Sequence, residues 1–147
     1  MVIRARLFGS FLTLLLSPFC ASAIDLDRQF ESIQEQDQFL IETLKSMGRE
    51  INQQTPLWVD SDTRLNSVVV LGKTLTYNYQ VVNFSGSELD VSFFRRTVLE
   101  NLNHMVCQSE ATRTLIDLGV RYVYLYSGKD GKLITRIVLE SYRCARL

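Results

Sequence analysis

His104, Cys107 and Glu100 come nearest to a catalytic set in this chain. A histidine close to a thiol can take its proton and leave a nucleophilic sulfur, so a small thiol hydrolase is one chemistry the sequence allows. His104 is the only histidine among 147 residues, and it stands near the end of a helical pattern, where a cationic or polar side chain also serves the helix dipole. Asp60, Asp62, Glu88 and Asp90 fall in loops. Asp60-Ser61-Asp62 alternates oxygen ligands as calcium loops do, but the glycine and the distal glutamate of such a loop are missing, and a solvated turn is the simpler assignment. No phosphate-binding glycine loop, dinucleotide fingerprint or G-x-S-x-G elbow is present. One histidine and three cysteines do not supply a metal site. No catalytic residue, cofactor or metal is therefore assigned. Tyr77, Tyr79, Tyr122, Tyr124 and Tyr126 remain as residues that either line a binding surface or sit in a core with wet hydroxyls.

The start of the chain gives an address. Arg4 and Arg6 form a basic region, Leu7 to Leu16 is an apolar run, Pro18 breaks it, and Ala21-Ser22-Ala23 is a small-x-small cleavage site. Residues 1–23 read as a secretory signal peptide, leaving a single domain over 24–147. A membrane anchor is the alternative, but the run is about half of the roughly 20 residues a span requires. Lipidation at Cys20 is a further alternative, with bulky Phe19 a poor fit just before such a cysteine. Removing Arg4 and Arg6 leaves 14 basic and 16 acidic residues, a net charge of −2. That balance lacks the basic excess of a nucleic-acid binder. The two remaining cysteines, Cys107 and Cys144, are most simply a disulfide in an oxidising compartment.

These residues are positioned by elements with clear periods. Leu26, Phe30, Ile33, Leu40, Leu44, Met47 and Ile51 follow helical steps and predict one long helix from Asp25 to about Gln53, with Asp37 the one non-apolar step. Phe39 and Ile41 widen the stripe. Pro56 closes this segment, and Leu57 to Asp60 reads as a short strand. Arg64–Leu71, Gly72-Lys73 and Thr74–Asn83 read as strand, tight turn and strand. Leu75, Tyr77, Tyr79 and Val81 share one face of the second strand; Thr76, Asn78 and Gln80 share the other. A second helix runs from Ser87 or Asp90 to about Val106, with Phe94, Val98, Leu102 and Met105 facing the core. Ser109 caps a third, from Glu110 to Leu118, stopped by Gly119. Val120–Ser127 and a strand using Leu133, Thr135, Ile137 and Leu139 on its inner face form a final hairpin around Gly128-Lys129-Asp130-Gly131. The expected fold is α+β: a long N-terminal helix and two shorter helices packed on a mostly antiparallel sheet of four or five strands.

Thr63-Arg64-Leu65-Asn66-Ser67-Val68, Leu75-Thr76-Tyr77-Asn78-Tyr79, Val82-Asn83, Val106-Cys107 and a hairpin ending near Cys144 resemble a recurring class of small exported bacterial proteins of mostly unassigned function. The layout with one disulfide is also similar to some secretion pilotins, which bind an outer-membrane secretin segment, and to a small family of quorum-sensing-regulated secreted virulence factors. Pilotins are often lipidated, and Phe19 before Cys20 departs from that pattern. The resemblance implies no catalytic residue.

The expectation is a non-enzymatic, periplasmic or secreted domain that binds another envelope or secreted protein, with no nucleic acid and no membrane span in the mature chain. Phe30, Ile33, Phe39 and Leu40 on the first helix are the candidate contact residues. A small-ligand carrier, with a pocket between that helix and the tyrosine strands, and the thiol hydrolase stand as alternatives.

Overall fold

The computed structural model describes residues 29–144, without the side chains of residues 142 and 143. The proposed signal peptide, Cys20 and the first acidic residues Asp25 and Asp27 lie outside the described residues. The chain divides into two units, Met1–Glu31 and Ser32–Leu147, and the fold below is that of the second.

Period-two alternation builds the centre. β1 (Leu57–Trp58), β2 (Thr63–Leu71), β3 (Thr74–Val81), β4 (Arg121–Ser127) and β5 (Leu133–Leu139) form one five-stranded sheet in that order. Gly72, at φ +55°, makes the tight turn between β2 and β3. All neighbouring pairs are antiparallel except β3 with β4, which run parallel because two helices intervene. Register brings Leu75, Tyr77 and Tyr79 beside Tyr122, Tyr124 and Tyr126, and these beside Leu139, Ile137 and Thr135. That shared face is the inner one. The outer face carries polar pairs beside Val123 and Leu125: Asn78 donates to Ser67 Oγ at 3.0 Å, Arg64 donates to Gln80 Oε1 at 2.9 Å, and Gln80 donates to the Gly128 carbonyl.

The first helix starts later than the apolar spacing suggests. α1 spans Ile33–Gln53, with Ser32 as N-cap accepting from the Glu35 N–H at 3.1 Å. Gln29 and Phe30 are not helical, which corrects the expected continuous helix from Asp25. A local cap won over a spacing that Phe30 happened to match. Leu40, Leu44 and Gly48 are the buried positions of α1, one per turn. Asp37, the odd polar step, accepts from Lys73 Nζ at 2.9 Å, and the same ammonium reaches the Leu118 carbonyl. Asn52 pairs twice with the backbone of Val68, donating to its carbonyl and accepting from its N–H, both at 2.7 Å. α1 is thus bolted to β2 at its C-terminal end.

Gly48 sets how closely α1 approaches β2. A Cβ there would stand 2.8 Å from Val70 Cγ2. In an exposed helix, glycine to alanine gains about 1 kcal/mol. Here crowding offsets that gain, so Gly48→Ala is expected to be near neutral. Gly48→Leu is expected to destabilise the fold by about 2 kcal/mol through overpacking, read by urea unfolding.

α2 (Val91–Gln108) is capped by Asp90, which accepts from the Phe93 N–H, and α3 (Glu110–Asp117) is capped by Ser109. Gly119 follows α3 at φ +87°. Leu102, Val106 and Cys107 are the buried residues of α2, whereas Met105 is 59% exposed. The expected core position at Met105 is therefore wrong by one residue. Leu133, expected on the inner face, is also exposed, because the β4–β5 pairing skips Ile134: Thr135 pairs with Tyr126 and Leu133 with Ser127. A short turn of helix, α4 (Ser141–Cys144), ends the described fold and carries Cys144 to Cys107, with the two Cα atoms 5.3 Å apart.

Candidate functional site

The inner face of the sheet is covered unequally. α1 lies over β2 and α2 over β5, so the tyrosines of β3 and β4 occupy the strip between the two helices. Alternation puts all five on one face, and parallel pairing stacks them across the strand boundary. Tyr77 and Tyr124 rings lie 5.2 Å apart, and Tyr79 and Tyr126 rings 5.0 Å apart, with interplanar angles of 11° and 12°. Phe94 of α2 meets Tyr126 edge-on at 5.5 Å and closes that side. Tyr122, Tyr124 and Tyr126 are buried, while Tyr77 and Tyr79 are half-buried.

Burial shapes the chemistry of these phenols. Loss of water pushes the Tyr79 hydroxyl up to about 12 from an ordinary 10.0. Burial also raises Tyr126, with Tyr79 and Asp60 adding to it, and raises Tyr124, with the surrounding tyrosines adding to it. Tyr79, Tyr124 and Tyr126 therefore present neutral phenols at physiological pH, suited to contact and hydrogen bonding and unsuited to act as bases. Because the folded values lie above the unfolded one, this contribution is complete below pH 10 and is lost as pH rises from about 10 toward 12. Phenolate absorbance is expected to lag behind that of free tyrosine and to rise together with unfolding in an alkaline titration.

The other candidate residues separate. His104 is exposed on α2, and Cys107 is bonded to Cys144, so Cys107 has no thiol to pair with it. Of the proposed contact residues, Ile33 is 80% exposed at the first turn of α1, and Phe39 is half-buried. Leu40 is 2% exposed and belongs to the core. Phe30 is half-buried and precedes the unit that begins at Ser32. Within the second unit, Leu40 therefore does not share an exposed surface with Ile33. The loop acids also hold structure. Asp60 Oδ1 accepts from the N–H groups of Asp62 and Thr63, and Glu88 accepts from the Ser85 N–H and hydroxyl and from Lys129. Lys129 and Ser85 together hold the Glu88 carboxyl down at about 2.

A shallow cavity of about 280 Å³ is lined by Thr74, Ile116, Gly119, Val120, Arg121, Glu140 and Ser141. It touches neither α1 nor a tyrosine, so it is not the pocket that a carrier of the expected kind would use. Among the described residues no three metal-ligating side chains come together, and no helix is long and apolar enough to cross a membrane.

Exposed apolar side chains are the feature that sequence periodicity missed. Trp58 on β1 and Phe93 on α2 are each more than half exposed, and each has an arginine over its ring: Arg64 at 6.0 Å and Arg96 at 5.7 Å. Apolar spacing reads Phe93 as a widening of the core face of α2, which its exposure corrects, and the two-residue β1 gives Trp58 no period at all.

No protein-family model and no curated protein matches the chain. Solved structures do. A candidate secreted protein from Pseudomonas aeruginosa superposes with a TM-score of 0.61 at 20% identity, covering 74% of this chain and 95% of that one. The type 2 secretion system pilotin EpsS of Vibrio vulnificus gives 0.62 at 12% identity, over 76% and 96%. The type II secretion system pilotin AspS of Vibrio cholerae gives 0.60 at 14% identity, over 76% and 98%. The layout resemblance to pilotins and small exported proteins read from the sequence thus extends to the three-dimensional fold: this chain has the α+β architecture of those secretion pilotins and of that candidate secreted protein.

Proposed function

We propose that the chain is a non-enzymatic, exported domain that binds another envelope or secreted protein, after removal of residues 1–23. The observation that carries the reading is the fold: nearly the whole of two secretion pilotins overlies this chain. Three features agree with it. The disulfide suits an oxidising compartment. The cysteine that a thiol hydrolase would need is committed to that bridge. The half-buried Tyr77 and Tyr79 on the sheet and, separately, Ile33 exposed at the start of α1 offer apolar and hydrogen-bonding contact area.

A crosslinking pull-down from the native host tests this, using the processed chain with a C-terminal tag. One dominant envelope or secretion-system protein is expected, and Ile33→Asp together with Tyr79→Ala is expected to reduce its recovery. Turnover of a substrate by the purified protein, or a tightly retained small ligand in native mass spectrometry with no protein partner, would contradict the reading.

A further inference from the structure

The two edges of the sheet are not equivalent. On the β2 edge, β1 covers Arg64 and Leu65, and the Asn52 amide occupies both backbone groups of Val68. On the β5 edge no further strand pairs among the described residues. The Arg121 N–H donates to the Lys73 carbonyl, so odd-numbered β4 residues face β3 and even-numbered ones face β5. Arg136 pairs with Leu125 and Val138 with Val123, so the backbone N–H and C=O groups of Arg136 and Val138 point away from the sheet. Among the described residues only one of these four groups has a partner: the Arg136 carbonyl accepts from Arg95 Nη1 at 2.7 Å.

This edge is also basic. Arg95, Arg96, Lys132 and Arg136 have no carboxylate partner among the described residues, whereas Arg121 and Lys129 are paired with Glu140 and Glu88. β5 itself carries no acidic residue. Arg95 Nη1 also donates to the Thr135 hydroxyl at 2.9 Å, and a guanidinium bonds both neutral acceptors more weakly than it would a carboxylate.

We propose that the β5 edge receives an acidic, extended segment of the partner protein as a sixth strand. Arg95 moves from the Arg136 carbonyl onto a carboxylate of the incoming segment, and the released carbonyl accepts a backbone N–H of that segment. Without an acidic partner, Arg95 caps the edge and discourages pairing by neutral strands. This inference rests on the protein-binding reading above and names the partner's chemistry.

The test uses the full processed chain and three synthetic eight-residue peptides: alternating glutamate and valine, alternating glutamine and valine, and the glutamate peptide N-methylated at alternate residues. Binding is followed by fluorescence anisotropy at low salt and by amide hydrogen exchange. The glutamate peptide is expected to bind about tenfold more tightly than the glutamine peptide and to protect the amides of Arg136 and Val138. Arg95→Gln is expected to bring that ratio close to one, and N-methylation, which leaves the protein untouched, to abolish binding. Equal binding of the N-methylated peptide, protection elsewhere, pairing of the edge with a second copy of the chain, or no binding would each overturn the proposal. A native partner still recovered at full strength by the Arg95→Gln, Arg136→Gln chain would overturn it while leaving the protein-binding reading standing; loss of any partner from the unaltered chain would remove both.

Discussion

Replacing Cys107 and Cys144 together by serine is expected to lower stability by about 4 kcal/mol, which corresponds to a fall in Tm on the order of 15 °C. The bridge spans 37 residues of sequence, so opening it returns a long loop's worth of freedom to the unfolded chain. Both cysteines are buried, and the link joins the end of α2 to α4, beyond the last strand. No second disulfide ties α4 among the described residues, and the elements it packs against most are α2 and α3. Thermal unfolding with and without reductant, compared with the double variant, checks the expectation. An unchanged Tm on reduction would mean that packing alone holds the C-terminal turn.

Leu44→Ala is expected to cost a similar amount, about 4 kcal/mol, in urea unfolding at neutral pH. Leu44 is fully buried at the middle of α1, one turn from Leu40 and one from Gly48. Close approach at Gly48 and the Asn52 clamp hold α1 against β2, so the space left by three missing carbon atoms cannot readily collapse. The same substitution separates the two roles assigned to α1. Leu44 faces inward and Ile33 outward, so Leu44→Ala is expected to lower stability while leaving partner recovery from the folded fraction intact. Ile33→Asp is expected to do the reverse.

The sheet was legible because period two holds along β3, where Leu75, Tyr77, Tyr79 and Val81 cannot share a face in any other element; the irregularities at Asn66 in β2 and before Thr135 in β5 break that period and were not legible. The parallel pairing of β3 with β4 was not legible. Two helices lie between them, and a connection of that length lets the next strand join either edge or the centre. Errors at helix ends had local causes. Phe30 fits the apolar spacing, yet the Ser32 side chain caps the helix two residues later, and Ser32 with Glu35 is a start signal that the spacing outweighed. Met105 and Val106 are both apolar neighbours, and a one-residue turn of α2 decides which is buried. Asp37 looked like a gap in a stripe, but its partner Lys73 lies 36 residues away in a turn, where no local pattern points to it.

For the candidate site, alternation placed five tyrosines on one face. Their half-open state at Tyr77 and Tyr79 depends on how far apart α1 and α2 sit on that face, which is a tertiary quantity. Likewise Leu40 and Ile33 belong to one helix stripe in the sequence, but only tertiary contact sends Leu40 to the core and leaves Ile33 in water. Sequence periodicity identifies apolar residues; it does not separate those that hold the fold from those left for a partner.

The most direct test of the central claim is photo-crosslinking in the native host, with a photoreactive amino acid at position 33 and, as control, at exposed Asn101 on α2. A protein that binds a partner through the exposed end of α1 is expected to give one dominant adduct from position 33, with an envelope or secretion-system protein, and none from Asn101. The same faint, scattered adducts from both positions, with the protein otherwise free, would contradict the account.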